Sequence, residues 1–251
     1  MLDGIDTGYE GKFDFPQRRE PPSRPYLLAS VPRTGSTLLS HLLWRTGCLG
    51  APLEYLNFVA GGPYGFAARQ PEAQQRLWES VLRRRTSPNG VFGAKVFPQQ
   101  FEELHASNPE LLDGAIRTLL PGAGRSRVVE LRRRDRAAHA ISYARATLSG
   151  VWRKEQEGEG AGEPEYSAQA VANAEKLLGQ QEERWQSMYR DLGIEPLVVW
   201  YEDVMATSDA VVAAVADYLG VSLDPAAAVQ VPAIDQQEQA GARQWAERHG
   251  G

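Results

Sequence analysis

The segment from Tyr26 to Gly47 constrains the fold most. It reads YLLASV, then PRTG, then STLLSHLLWRTG. The first six residues form a short apolar run with aromatic and β-branched members, the pattern of a buried strand. PRTG breaks the run. Leu38, Leu39, Leu42 and Leu43 then recur at the spacing of one helical face, and Gly47 stands where a helix C-cap belongs. The segment is therefore strand, tight loop, helix.

The pattern recurs along the chain. Residues 72–85 read as a helix stopped by TSPNG, and residues 90–97 (GVFGAKVF) as a strand. RVVEL at 127–131 reads as another strand, followed by a helix over 135–148. LVVWY at 197–201 reads as a strand followed by a helix over 208–219, and helical periodicity also covers 166–189. Strands alternating with helices predict βαβ units in a three-layer α/β fold with a mainly parallel central sheet. Ligands of such sheets bind at the carboxyl ends of the strands, which directs attention to the loops after Val31, Phe97 and Leu131.

Residues 1–25 are polar and proline-rich and read as an N-terminal arm; residues 26–251 read as one domain. Within it, residues 154–165 (KEQEGEGAGEPE) are acidic and glycine-rich and predict a mobile loop, either solvated or a lid over the site. The net charge of −5 supplies no general basic field for nucleic acid or an anionic membrane. Cys48 is the only cysteine, which excludes an internal disulfide and a cysteine-rich metal site. The first residues lack a basic n-region and an apolar h-region, and no apolar run reaches the length of about 18 residues that spans a bilayer. A cytoplasmic, soluble protein without membrane insertion is the expectation.

An anionic ligand must then be held by local groups. Pro32-Arg33-Thr34-Gly35-Ser36-Thr37 places consecutive backbone N–H groups at a helix start. Gly35 lets the backbone approach a phosphate, Ser36 and Thr37 add hydroxyl donors, and Arg33 adds a permanent positive charge. The loop lacks the first glycine of GxxxxGK[ST], and Arg33 precedes Gly35 where a kinase lysine would follow it. It is suited to phosphate or sulfate, in a P-loop-like rather than a Walker manner.

A second basic cluster, LRRRDRAAHAISY, places arginines at a strand end and Ser142 on the next helix, nine residues after Arg133. Arg133 with Ser142 suits a terminal phosphate monoester, charge plus hydroxyl. Arg132, Arg134 and Arg136 serve equally well as surface charge. Glu54 is the only acid between Ser23 and Glu72 and lies in a largely apolar stretch, surroundings that raise a carboxyl pKa. Lys95 either points from its strand into the site or decorates a strand edge. Trp152 and Arg153 are candidates for contact with an adenine or for the acceptor entrance. His41, His105, His139 and His249 show no metal spacing and read as structural or exposed. No acidic pair is placed for a metal, so none is expected.

SVPRTGSTLLSHLL, GAPLEYLNF, NGVFGAKVF and LRRRDRAAHAISYARA…VWR occur in this order, with EERWQSMY and LVVWYEDV after them. Their order and spacing resemble the bacterial trehalose 2-sulfotransferase family, over roughly residues 26–219. The resemblance implies a P-loop-like sulfotransferase that moves a sulfuryl group from 3′-phosphoadenosine 5′-phosphosulfate (PAPS) to a hydroxyl, leaving 3′-phosphoadenosine 5′-phosphate (PAP). It implies Glu54 as the base that takes the acceptor proton, and a homodimer as the assembly to test. Ala51 stands where trehalose-type members carry a second acid that holds the sugar, and Gln236 where the family tends to have Arg. Both departures leave the acceptor open. The competing readings are a small-molecule kinase using the loop for ATP and an inactive nucleotide-binding protein.

Overall fold

The computed structural model describes residues 6–122, 124–152, 162–234 and 240–250. Four parallel strands form the sheet: β1 (Arg24–Ala29), β2 (Val91–Val96), β3 (Val128–Arg132) and β4 (Leu197–Trp200), in the order β2-β1-β3-β4. Side chains alternate along each strand, so the sheet has two apolar faces. Leu27 and Ala29 of β1 share one face with Phe92, Ala94 and Val96, while Tyr26 and Leu28 share the other with Val91 and Val129.

Helices cover both faces, which gives the expected three layers. The first face packs α2 (Pro71–Arg84), α3 (Pro98–Ser107), α4 (Pro109–Leu119) and α6 (Ala168–Leu192) through Trp78, Leu104, Leu111 and Trp185. The second packs α1 (Ser36–Arg45), α7 (Tyr201–Ala206) and α8 (Ser208–Leu219) through Leu39, Leu43, Val204 and Val215. A smaller cluster joins α5 (Arg136–Ser149) and α6 to α9 (Ala240–Gly250), around the buried Trp245. Among the described residues no helix is long and apolar enough to cross a membrane.

The sequence assigns no elements where α3, α4 and α9 lie, and it places Tyr201 at the end of a strand where the chain already begins α7. Two of them carry a legible start signal, proline at the first helical turn, with Asn108 capping the N–H of Leu111 at α4. The N-terminal arm is not separate from the core. Phe15 is buried, and residues 8–14 wrap the guanidinium of Arg85, which is itself 2% exposed. Of the acidic loop expected over 154–165, residues 154–161 lie outside the described residues. Its last part is fixed: Glu163 takes both arms of Arg145 at 2.7 Å, and the Pro164 carbonyl accepts the Trp245 indole N–H.

Strand order places the site. The chain leaves β1 for β2 on one side, then returns to β3 on the other side of β1. The crevice at a topological switch point therefore opens between the carboxyl ends of β1 and β3. The PRTGST loop and the LRRRDR segment are the two loops that border it.

Candidate active site

The loop after β1 is held in an anion-binding shape. Arg33 and Gly35 both have positive φ, 67° and 82°. Alternating left-handed residues turn successive N–H groups to one side, and no side chain caps the start of α1. Gly35 is required for a second reason: a Cβ there would lie 2.5 Å from the ring of Tyr201. Thr34 is fully buried, with its hydroxyl turned inward to Val31 O at 2.9 Å, so its side chain is not offered to a ligand.

Three elements meet at Arg33. Its Nε donates to Ser142 Oγ of α5 at 3.1 Å, and its Nη1 donates to the Trp152 carbonyl at 2.7 Å. The Trp152 ring stands edge-on to Tyr143 at 5.8 Å and is 42% exposed. Arg153 and Gln236 lie outside the described residues. Ser142, which the sequence paired with Arg133, is thus placed on Arg33.

Arg133 approaches the same loop from β3. Its guanidinium lies 4.8 Å from the centre of the Tyr201 ring, whose edge borders Gly35. The Nε of Arg133 is buried and has no hydrogen-bond partner. Its neighbours are engaged elsewhere: Arg132 with the buried Glu130, Arg134 with Asp203, Arg136 with Glu182. Of the four arginines, Arg133 alone has no carboxylate partner among the described residues, although the Nε of Arg132 is likewise buried without a hydrogen bond.

His139 of α5 fixes the loop from beneath. It is 2% exposed and its Nε2 lies 2.8 Å from Pro32 O. Burial first, and then the charges of Arg133, Arg33 and Arg136, lower its pKa from 6.5 to about 4, against the opposing hydrogen bond to Pro32. The ring is neutral at pH 7, and its Nε2–H is the donor because a carbonyl only accepts. As pH falls below 6.5 the unfolded chain takes up a proton that the folded chain refuses. By linkage, about 2 kcal/mol of stability contributed by this group is gone at pH 5. Urea unfolding at pH 7.5 and pH 5 should show this loss in the wild type, and His139→Asn should lack it.

Across the loop stands the carboxylate. Lys95 is 2% exposed, and its Nζ lies 3.0 Å from Glu54 Oε1 and 3.0 Å from Thr37 Oγ1. Asn57 Nδ2 and Gln100 Nε2 donate to Glu54 Oε2 at 2.8 and 3.2 Å. The apolar surroundings expected for Glu54 are therefore corrected: Leu53, Tyr55 and Leu56 are buried around it, but its carboxylate meets an ammonium and two amides. Gln100 is buried, and its other end accepts the Phe97 N–H at the start of α3. The strand-edge reading of Lys95 also falls, because the Leu53–Ala94 bridge covers the outer side of β2 beside it. Ala51 is 0% exposed, so its side chain reaches no acceptor.

Sequence reasoning missed Tyr201, Gln100, Asn57 and His139 as parts of this site. Tyr201 had a signal, since it follows the carboxyl end of a parallel strand. The two amides had none: Gln100 meets Glu54 from 46 positions away, and Asn57, three residues after Glu54, reaches its carboxylate only in the turn the chain makes there. Among the described residues no three His, Cys, Asp or Glu form a group suited to a metal ion.

The arrangement joins an anion-binding loop, two arginines and a lysine to one oriented carboxylate. A family model described as Stf0 sulphotransferase matches residues 25–250. The trehalose 2-sulfotransferase of Mycobacterium tuberculosis is 29% identical, covering 90% of this chain and 94% of that protein. The trehalose 2-sulfotransferase of Mycolicibacterium smegmatis is 27% identical, covering 89% and 93%. The sulfotransferase STF9 from Mycobacterium avium shares the fold, with a TM-score of 0.50 at 13% identity over 92% of this chain and 70% of that one. The match to the family model covers the four strands except Arg24, both loops of the crevice and the Glu54–Lys95 pair, and the chain belongs to the Stf0 sulphotransferase family.

Proposed function

We propose that the chain transfers a sulfuryl group from PAPS to a hydroxyl of a small carbohydrate-like acceptor, with Glu54 as the base. One observation carries this reading: Lys95 Nζ touches both Thr37 of the phosphate loop and the Glu54 carboxylate, each at 3.0 Å. The base and the anion site are thereby held in one rigid unit. The names of the two mycobacterial relatives support a sugar as the acceptor class.

In the reaction the acceptor oxygen forms a bond to sulfur as the bond from sulfur to the phosphate oxygen breaks. The acceptor proton passes to Glu54, and the electron pair of the broken bond stays on the departing phosphate of PAP. The nucleophile, sulfur and leaving oxygen must be in line, so positioning and charge compensation do most of the catalysis. Lys95, Arg33 and the N–H groups at the start of α1 face the oxygen that gains charge. Arg133, with its buried Nε, is the group to receive the 3′-phosphate.

Thermal-shift measurements test the donor. PAP without Mg²⁺ should stabilise the protein, by about 2.7 kcal/mol at a hundredfold excess over Kd. Stabilisation only by ATP with Mg²⁺ would replace this reading with a kinase. Transfer of label from radiolabelled PAPS to trehalose and to related sugars then tests the acceptor class. Arg133→Ala should erase the preference for PAP over adenosine 5′-monophosphate in calorimetry. Retained preference would assign the 3′-phosphate to another cation.

A further inference from the structure

We propose that the N-terminal segment over residues 7–14 is a brace for the catalytic carboxylate, and that Tyr9 is its positioning residue. This rests on Glu54 as the base. The brace lies outside the stretch matched by the family model, which begins at residue 25.

The contact is direct. Tyr9 Oη accepts the backbone N–H of Glu54 at 3.0 Å. The Tyr9 ring stands edge-on to Tyr55 at 6.4 Å and to Tyr64 at 5.5 Å. Both rings belong to the loop that carries the base: Tyr55 follows Glu54, and the Tyr64 N–H donates to the carbonyl of Asn57, whose amide holds the Glu54 carboxylate. Tyr9 therefore fixes the backbone at Glu54 and packs against the residues that orient its side chain.

The brace is itself held at a fixed point. Arg85 donates from Nη1 to Gly8 O at 2.8 Å and from Nη2 to Glu10 O at 3.1 Å, on either side of Tyr9. Its Nε pairs with Asp14 Oδ1 at 3.0 Å. The carbonyl of Arg85 accepts the N–H of Ala51, three residues before Glu54. One buried arginine thus anchors both the brace and the segment it braces. Glu10 closes the turn, accepting from the N–H groups of Thr7 and Gly8 at 2.9 and 2.8 Å. A buried guanidinium held on three sides by carbonyl groups and a carboxylate is costly to displace, so the brace has one seat. A small displacement of a base costs rate far more than it costs donor binding.

Single-turnover reactions with radiolabelled PAPS test the brace. They follow transfer to trehalose and release of inorganic sulfate, in which water is the acceptor. Tyr9→Phe keeps the ring contacts and removes the hydroxyl. Its transfer rate should fall about tenfold with PAP affinity unchanged, while the melting temperature falls only by what one lost hydrogen bond costs. In a Glu54→Gln background the same change should have no further effect, because a residue acting through Glu54 has nothing left to position. Glu10→Ala loosens the turn without touching the ring, and should slow transfer about threefold, which keeps the test decisive should Tyr9→Phe fold poorly. Wild-type rates in both variants would overturn the brace while Glu54→Gln remains slow. An equal loss from Tyr9→Phe in both backgrounds would overturn it too. A Glu54→Gln protein that transfers at the wild-type rate would instead remove the base assignment on which the brace rests.

Discussion

Glu54→Gln should slow sulfuryl transfer by about 10²–10⁴-fold while leaving PAP affinity nearly unchanged. The amide keeps the shape and the capacity to accept from Asn57 and Gln100, but it takes no proton from the acceptor. The acidic limb of the pH–rate profile should vanish with it. The substitution has a second consequence that the structure makes explicit. Lys95 is 2% exposed and loses its ion pair while keeping Thr37. Breaking a buried pair from one side costs about 3–5 kcal/mol in fully enclosed cases, and less here because the Glu54 side chain is 15% exposed. A lower melting temperature is therefore expected and is separable from the rate. The double variant Glu54→Gln/Lys95→Gln should recover stability without recovering transfer. Single-turnover rates and unfolding curves on the same preparations check both statements. Turnover of Glu54→Gln within a few-fold of wild type would make Glu54 structural.

Arg33→Ala should weaken PAP binding by about 2–4 kcal/mol, roughly 30- to 1,000-fold, read by calorimetry. Ser142 and the Trp152 carbonyl hold its guanidinium in place, so little side-chain entropy remains to be lost when an anion binds. Its backbone conformation supplies a control. At φ 67° any residue with a Cβ is strained, by about 1–2 kcal/mol for the left-handed region. Arg33→Gly removes the same charge and relieves that strain. Both variants should lose PAP affinity, yet the glycine variant should be the more stable of the two by thermal melting. Unchanged affinity in both would place the charge outside the binding site.

Strand–helix alternation made the parallel sheet legible, since a period of two and a period of 3.6 residues are written in local order. The turn residues made the loop after β1 legible as well: a glycine and hydroxyl residues open α1 directly after an apolar strand. Glu54 stood out as a lone acid, and Lys95 as a lysine in an otherwise apolar strand. These are properties of neighbours in the chain.

Convergence was not legible. Residues 37, 54 and 95 meet because β1 and β2 are paired in a particular register and because Leu53 bridges Ala94 alongside β2. A shift of one residue would turn Lys95 to the opposite face of the sheet. Similarly, Ser142 reaches Arg33 rather than Arg133 because α5 lies against the loop after β1, where His139 also meets the Pro32 carbonyl. The arm looked peripheral because its composition is polar and rich in proline. Arg85 reverses that role by burying its guanidinium among the arm's carbonyl groups. The sequence alone thus determined the strand–helix alternation of the parallel sheet and singled out the loop after β1, because backbone propensity and side-chain periodicity are local. Only the tertiary structure decided which charges face one another, because that depends on strand pairing and helix packing between segments far apart in the chain.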